Sequence, residues 1–206
     1  MGTPQRWAEW AREPWPLQGG EEPKVAAMPA MLRRRAGLLG RMALEVAYDC
    51  LGQHTKVPTV FCSRHGEVGR ALELLGDLAR GEPLSPTGFG LSVHNAIAGL
   101  FSIARSDRAN HVALAAGGAS IEHAVIEACG QLADGAPMVL LVACDTPLPD
   151  MLSGFEDCDE QSWAFAWLLV PAGEQALRLS WRAHPAAEAS AMPGGLELLR
   201  FQHGAD

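Results

Sequence analysis

Tyrosine occurs once in these 206 residues, and none of the cysteines forms a C-x-x-C pair. Cys50, Cys62, Cys129, Cys144 and Cys158 are odd in number, widely spaced and mostly set in apolar runs. This excludes a disulfide framework and a cysteine-based zinc site, both of which need short paired spacings, and points to reduced thiols in a cytoplasmic chain. Histidine gives no metal spacing either, since His54, His65, His94, His111, His123, His184 and His203 are scattered over turns, loops and helix faces. No metal and no cofactor is implied. Basic residues are outnumbered, 16 Lys and Arg against 24 Asp and Glu for a net charge of -8. A non-specific nucleic-acid binder needs the opposite balance to displace counterions from phosphates. No apolar run is long enough for a membrane span, and the N-terminus lacks the charged-then-apolar order of a signal sequence.

The apolar fraction, 48%, is that of a globular chain, and the length suits one α/β domain over 1–206. Trp7, Trp10 and Trp15 share the first 29 residues with prolines and a Gly-Gly pair, a composition that predicts an irregular arm with a helical turn around Trp7 to Trp10. From Pro29 to Gly52 the spacing of Leu39, Met42, Ala43, Val46 and Ala47 predicts a helix with one apolar face. Val57 to Cys62 reads as a buried strand, followed by the turn Ser63 to Gly66 and a helix through Ala79. A loop carrying Pro83 and Pro86 precedes a small-residue helix that starts after Asn95. Further on come a strand at 110–116, a helix from Ser120 to Ala133, a strand from Met138 to Ala143 and an acidic loop at 145–160. Two closing strands, Trp163 to Val170 and Ala176 to His184, are predicted as a hairpin turning at Gly173-Glu174. Alternating strands and helices imply a largely parallel sheet.

Between the strand at 110–116 and the helix from Ser120 lies Ala116-Gly117-Gly118-Ala119, a strand-to-helix turn holding no Cys, Ser or Thr. Such a turn aims the positive end of a helix dipole at whatever it carries, which lowers a thiol's pKa. Here that field has no nucleophile to act on.

The order of these motifs resembles the N-terminal half of a β-ketoacyl synthase, of thiolase-like fold. The resemblance rests on Ser85-Pro86, on Asn95-Ala96-Ile97-Ala98-Gly99 entering a helix, and on the strand, elbow and helix around Gly117. Within that superfamily, Met-Pro-x-Met-Leu-Arg-Arg-Arg at 28–35, Phe-Cys-Ser-Arg-His-Gly-Glu at 61–67 and Ser-Val-His-Asn at 92–95 are similar to a short subfamily from aryl polyene and xanthomonadin-type pigment clusters. Its members are read as chain-length-factor-like partners of a full ketosynthase. The fold implied is a mixed five-stranded-type sheet with helices packed on it, lacking the β-branched strand that normally opens the fold. Gly117 falls where the nucleophilic cysteine would stand, and a shift by one residue puts Ala116 or Gly118 there; every choice removes the nucleophile. The catalytic histidines and lysine of a ketosynthase belong to a C-terminal half that has no counterpart in these residues.

The resemblance also supplies expectations for particular residues. Phe89, Val93, Asn95, Ile97, Leu100 and Phe101 correspond to a dimer-interface segment that lines the neighbour's acyl tunnel; ordinary core packing is the alternative for the same side chains. His111, Val112 and Leu114 lie on the strand that pairs across the dimer, with a full-length ketosynthase or with a second copy. Arg33, Arg34 and Arg35 offer a surface to an acidic acyl carrier protein, with a solvated helix face as the plainer reading. Paired with Arg64 and His65, the same three arginines are alternatively an anchor for the acidic loop at Glu156 to Glu160. Two other functions remain open: an acyltransferase or thioester hydrolase using Cys144 or Ser120, and a homodimeric acyl-binding scaffold.

Overall fold

In the strands of the computed structural model, which describes residues 3–174, 176–181 and 190–204, successive side chains enter two different cores on opposite faces of one sheet. The sheet has four strands in the order β2-β1-β3-β4. β1 (Thr59–Cys62) pairs in parallel with β2 (His111–Leu114) on one side and with β3 (Val139–Asp145) on the other, and β4 (Trp163–Leu169) runs antiparallel to β3. Every residue of β1 and β3 is buried, as expected of strands covered on both faces.

The chain forms α1 (Pro4–Arg12), α2 (Ala30–Arg33), α3 (Leu38–Leu51), α4 (Val68–Arg80), α5 (Pro86–Ser92), α6 (Ala96–Arg105), α7 (Ser120–Ala133) and α8 (Gly194–Gly204), with a 3-10 turn at Asp150–Phe155. Against one face α3 and α6 pack Leu44, Leu51, Ile97 and Phe101 onto Phe61, Leu140 and Val142. Against the other α7, α1 and α8 pack Ala124, Ala128, Trp10 and Leu196 onto Val60, Leu141 and Phe165. The connection from β1 to β2 runs through α4, α5 and α6, and that from β2 back to β3 through α7. They progress in opposite directions across the sheet, so a common right-handed sense puts their helices on opposite faces.

Several expectations change. The arm is more regular than its composition suggests: Thr3 Oγ1 accepts from the Arg6 N–H at 3.3 Å, Pro4 occupies the first turn, and a nine-residue helix follows. Trp7 stacks on His203 with ring centroids 5.8 Å apart, and Arg200 Nε donates to the Ala11 carbonyl at 3.1 Å, so α1 and α8 clasp each other. The helix expected from Pro29 is broken between Arg33 and Leu38, where Gly37 takes an extended conformation before α3. The segment around Pro86 is a helix, with Ser85 Oγ accepting from the Gly88 N–H at 3.0 Å. α8 follows a segment in which the sequence pattern predicts no helix.

The sheet has four strands among the described residues, not five. Residues 176–181 of the expected last strand are without regular structure, and 182–184 lie outside the described residues. Among the described residues β4 has no hairpin partner and pairs with β3 alone.

Candidate functional site

The parallel strands β1, β2 and β3 all end at the same edge of the sheet, so their C-terminal loops bring together residues far apart in sequence. The elbow after β2 is exposed from Ala115 to Ala119. Gly117 stands there at φ +59°, in the left-handed region, and a Cβ built on it would meet nothing within 4 Å. A side chain would therefore have room but would carry the backbone strain that nucleophile elbows carry. The following residue able to attack, Ser120, is buried and already bonded: its Oγ donates to the Gly117 carbonyl at 2.7 Å and accepts from the Ala116 N–H at 2.9 Å. Ser120 holds the elbow's shape. Cys144 is no better placed, because it is fully enclosed in the core and burial pushes its thiol well above the ordinary range. Burial likewise pushes Cys62 up to about 12. Neither presents a thiolate at neutral pH.

Beside the elbow, the ends of β1 and β3 build a network that the sequence did not disclose. Asp145 Oδ1 accepts from Ser63 Oγ at 2.7 Å, from the Arg64 N–H at 2.9 Å and from the His65 N–H at 3.4 Å. Ser63 Oγ in turn accepts from the Gly66 N–H at 2.8 Å. Burial raises the Asp145 pKa, partly opposed by these donors. Arg64 pairs with Asp157 at 2.7 Å and His65 Nε2 with Glu160 Oε1 at 3.0 Å, so these two residues fasten the acidic loop over the strand ends. His94 Nε2 meets the Ser63 carbonyl at 2.9 Å, and a Cβ on Gly66 would come within 2.8 Å of the His94 ring. The signal for this cluster was Ser-Arg-His-Gly directly after a strand; its missing half, Asp145, lies 82 residues away from Ser63.

The six interface candidates divide. Ile97, Leu100 and Phe101 are buried in the α3/α6 core, with the Phe101 ring edge-on to Tyr48 and Phe61. Core packing is their structural role. Phe89, 67% exposed, and Val93, 40% exposed, project from α5 and its end, and Asn95 is exposed at the start of α6. On the edge strand His111 is exposed and Val112 and Leu114 are half-buried, and among the described residues β2 bonds only to β1. Arg33, Arg34 and Arg35 lie at the C-terminal end of α2, not at a helix start. Cations there complement the dipole. Arg33 Nη1 reaches the Val25 carbonyl at 3.4 Å, while Arg34 and Arg35 are exposed. Among the described residues no cluster of three His, Cys, Asp or Glu forms a metal site, and no single helix is long and apolar enough to cross a membrane.

The family model for the β-ketoacyl synthase N-terminal domain matches residues 7–203. The chain belongs to this family. No curated protein sequence matches it. Among solved structures it is similar to a chain in "Ketosynthase (ApeO) in Complex with its Chain Length Factor (ApeC)" from Xenorhabdus doucetiae. That match has 24% identity and a TM-score of 0.82 and covers 100% of this chain and 87% of the other. A β-ketoacyl synthase from Burkholderia phymatum matches at 17% identity and a TM-score of 0.57, over 71% of this chain and 40% of the synthase. The fold of this β-ketoacyl synthase domain is therefore thiolase-like, as the motif order implied, with a smaller sheet than expected. Its elbow lies at the edge where the open ends of parallel strands gather ligands in α/β proteins.

Proposed function

We propose that this β-ketoacyl synthase domain is a non-catalytic, chain-length-factor-like subunit that pairs with a full ketosynthase and shapes its acyl pocket during polyene or fatty-acid-like chain extension. The observation that carries the reading is the elbow itself: a left-handed turn with open space at its apex, occupied by Gly117. Decarboxylative condensation needs a thiolate to hold the acyl chain and donors to stabilise the developing oxyanion. The apex supplies no thiolate, and the neighbouring hydroxyl and thiols are locked in bonds or buried. The ketosynthase performs the chemistry.

The unpaired side of β2 supports strand-to-strand pairing with that partner, since an open apolar edge is a hazard unless covered. Phe89 and Val93, exposed on the α5 side, are the pocket-shaping candidates, with Asn95 beside them. Arg34 and Arg35 remain a docking surface for the acidic carrier protein, which the reading otherwise brings in only through the ketosynthase. The test is to co-express the chain with the ketosynthase encoded beside it and run the pair on size exclusion. A one-to-one complex is expected. A chain that self-associates and ignores the ketosynthase would point instead to a homodimeric acyl-binding scaffold.

A further inference from the structure

The acidic loop between β3 and β4 holds two large apolar side chains in solvent. Met151 is 82% exposed and Phe155 74%, both on the 3-10 turn. The turn itself is firmly tied. The Leu148 N–H donates to Glu160 Oε2 at 2.5 Å and the Asp159 N–H to the Ala191 carbonyl at 2.6 Å, while Arg64 and His65 hold Asp157 and Glu160. Residues 145–160 contain six acids and no Lys, Arg or His. Asp145, Asp157 and Glu160 are engaged by Ser63, Arg64 and His65. Asp150, Glu156 and Asp159 are exposed beside the two apolar side chains and form no ion pair among the described residues.

A patch of the opposite charge lies on the same edge of the sheet. Where α2 gives way to α3, Met31 is 73% exposed and Leu38 47%. Between them Arg34 and Arg35 are exposed, without an acidic partner among the described residues. The loop leaving β1 stands between the two patches: Arg70, in the helix that follows it, donates from Nη2 to the Arg35 carbonyl at 3.3 Å, and Arg64 and His65 in the loop grip the acidic turn. One edge thus carries two apolar side chains set among carboxylates and two set among guanidinium groups. Each patch has the apolar centre and charged rim of a recognition surface, and their charges are complementary.

We infer that this edge is a self-association surface, on which a second copy of the chain lays its acidic turn against the α2 patch and receives the first copy's turn on its own. A twofold axis makes both contacts at once, because the two patches share one edge. Met151 and Phe155 are then covered by Met31 and Leu38 of the other copy, and Asp150 and Glu156 meet Arg34 and Arg35. The bonds that tie the turn in the single chain lower the ordering cost of the contact. The outer side of β2 stays free, so the inference does not depend on the ketosynthase partnership. An acidic carrier protein and the second copy would compete for Arg34 and Arg35.

Sedimentation equilibrium of the full chain alone, at concentrations up to about 1 mM, tests it. The wild type is expected to dimerise. Two double variants then carry the contrast. Arg34→Glu with Arg35→Glu makes both patches acidic, and Asp150→Lys with Glu156→Lys makes both basic, so each variant by itself should associate at least about tenfold more weakly. Mixed in equal amounts they should form a heterodimer with a Kd within about threefold of the wild type, since each then meets its opposite twice. Met151→Ser with Phe155→Ser, at exposed sites that folding does not use, should also weaken the dimer at least about tenfold. A wild-type chain that stays monomeric would overturn the inference. So would a dimer indifferent to these variants, which would be held by another surface, β2 included, or two folded charge variants that fail to pair when mixed.

Discussion

Phe89→Ala and Phe101→Ala should separate the surface that meets a partner from the core that supports it. Phe89 keeps 67% of its accessible area in the isolated chain. For a side chain offering roughly 200 Å2 that is about 130 Å2 still available to a partner, and at about 25 cal/mol per Å2 its burial is worth up to about 3 kcal/mol. Ordering costs at an interface reduce this, so Phe89→Ala should weaken association with the ketosynthase by about 1–3 kcal/mol, roughly five- to 150-fold in Kd. The same change should move the unfolding free energy by no more than about 0.5 kcal/mol, as for any exposed site. Phe101 is 5% exposed and packs edge-on against Tyr48 and Phe61. Its truncation should cost about 3–5 kcal/mol of stability through lost burial and a residual cavity. Urea unfolding gives one axis and titration calorimetry with the ketosynthase the other. If Phe89→Ala proved as destabilising as Phe101→Ala, or bound the ketosynthase unchanged, the division of this segment into surface and core would be wrong.

Other consequences follow from the strand ends and the second core. Asp145 has its pKa raised by burial, so the stability associated with its neutral form is fully present below the unfolded carboxylate value of about 3.9 and is lost as pH rises through the higher folded value. Asp145→Asn has no proton to lose there; urea midpoints across pH should show wild type losing stability relative to the variant as pH rises from about 4, and a widening wild-type advantage would contradict the assignment. A Cβ at Gly195 would come within 2.1 Å of the Trp163 ring. Gly195→Ala should therefore lose about 1–3 kcal/mol by displacing α8 from the sheet, read by thermal unfolding. Alkylation of the native chain near pH 8 should modify exposed Cys129, while Cys62 and Cys144 react only once the chain unfolds; early labelling of Cys144 by mass spectrometry would reopen a thiol-based activity.

The elements legible in the sequence were those whose signal is local. α7 begins and ends where its apolar pattern does, between the glycine elbow and Gly135, and β1 and β2 fall within the apolar runs that predicted them, while β3 runs two residues past Ala143 and takes Asp145 from the expected acidic loop. What escaped was read as punctuation. Thr3-Pro4 and Ser85-Pro86 are both cap-then-proline helix starts, yet the prolines around them suggested an arm and a loop. α8 opens with Gly194-Gly195, glycines that weaken a helix signal, although Gly195 is required by the close approach of Trp163.

At the candidate site the vacancy at Gly117 was visible, because it needs only the turn and the residue type. The exposure of Phe89 and the burial of Phe101 were not. α5 and α6 meet at 102°, so no single helical wheel runs through both, and only the fold assigns their faces. The Asp145 to Ser63 network joins the ends of two adjacent strands, a neighbourhood created by sheet order and absent from any local pattern.

The central claim is that the chain contributes shape and not chemistry. Its most direct measurement is the length distribution of acyl products from the reconstituted ketosynthase with no subunit, with the wild-type chain and with a Gly117→Cys variant. The account predicts that adding wild type changes the product length, and that Gly117→Cys gives the same products as wild type, since a Cβ at Gly117 meets no group within 4 Å that would hold or activate a thiol. Products unchanged by the wild-type chain, or turnover by the chain without the ketosynthase, would contradict it.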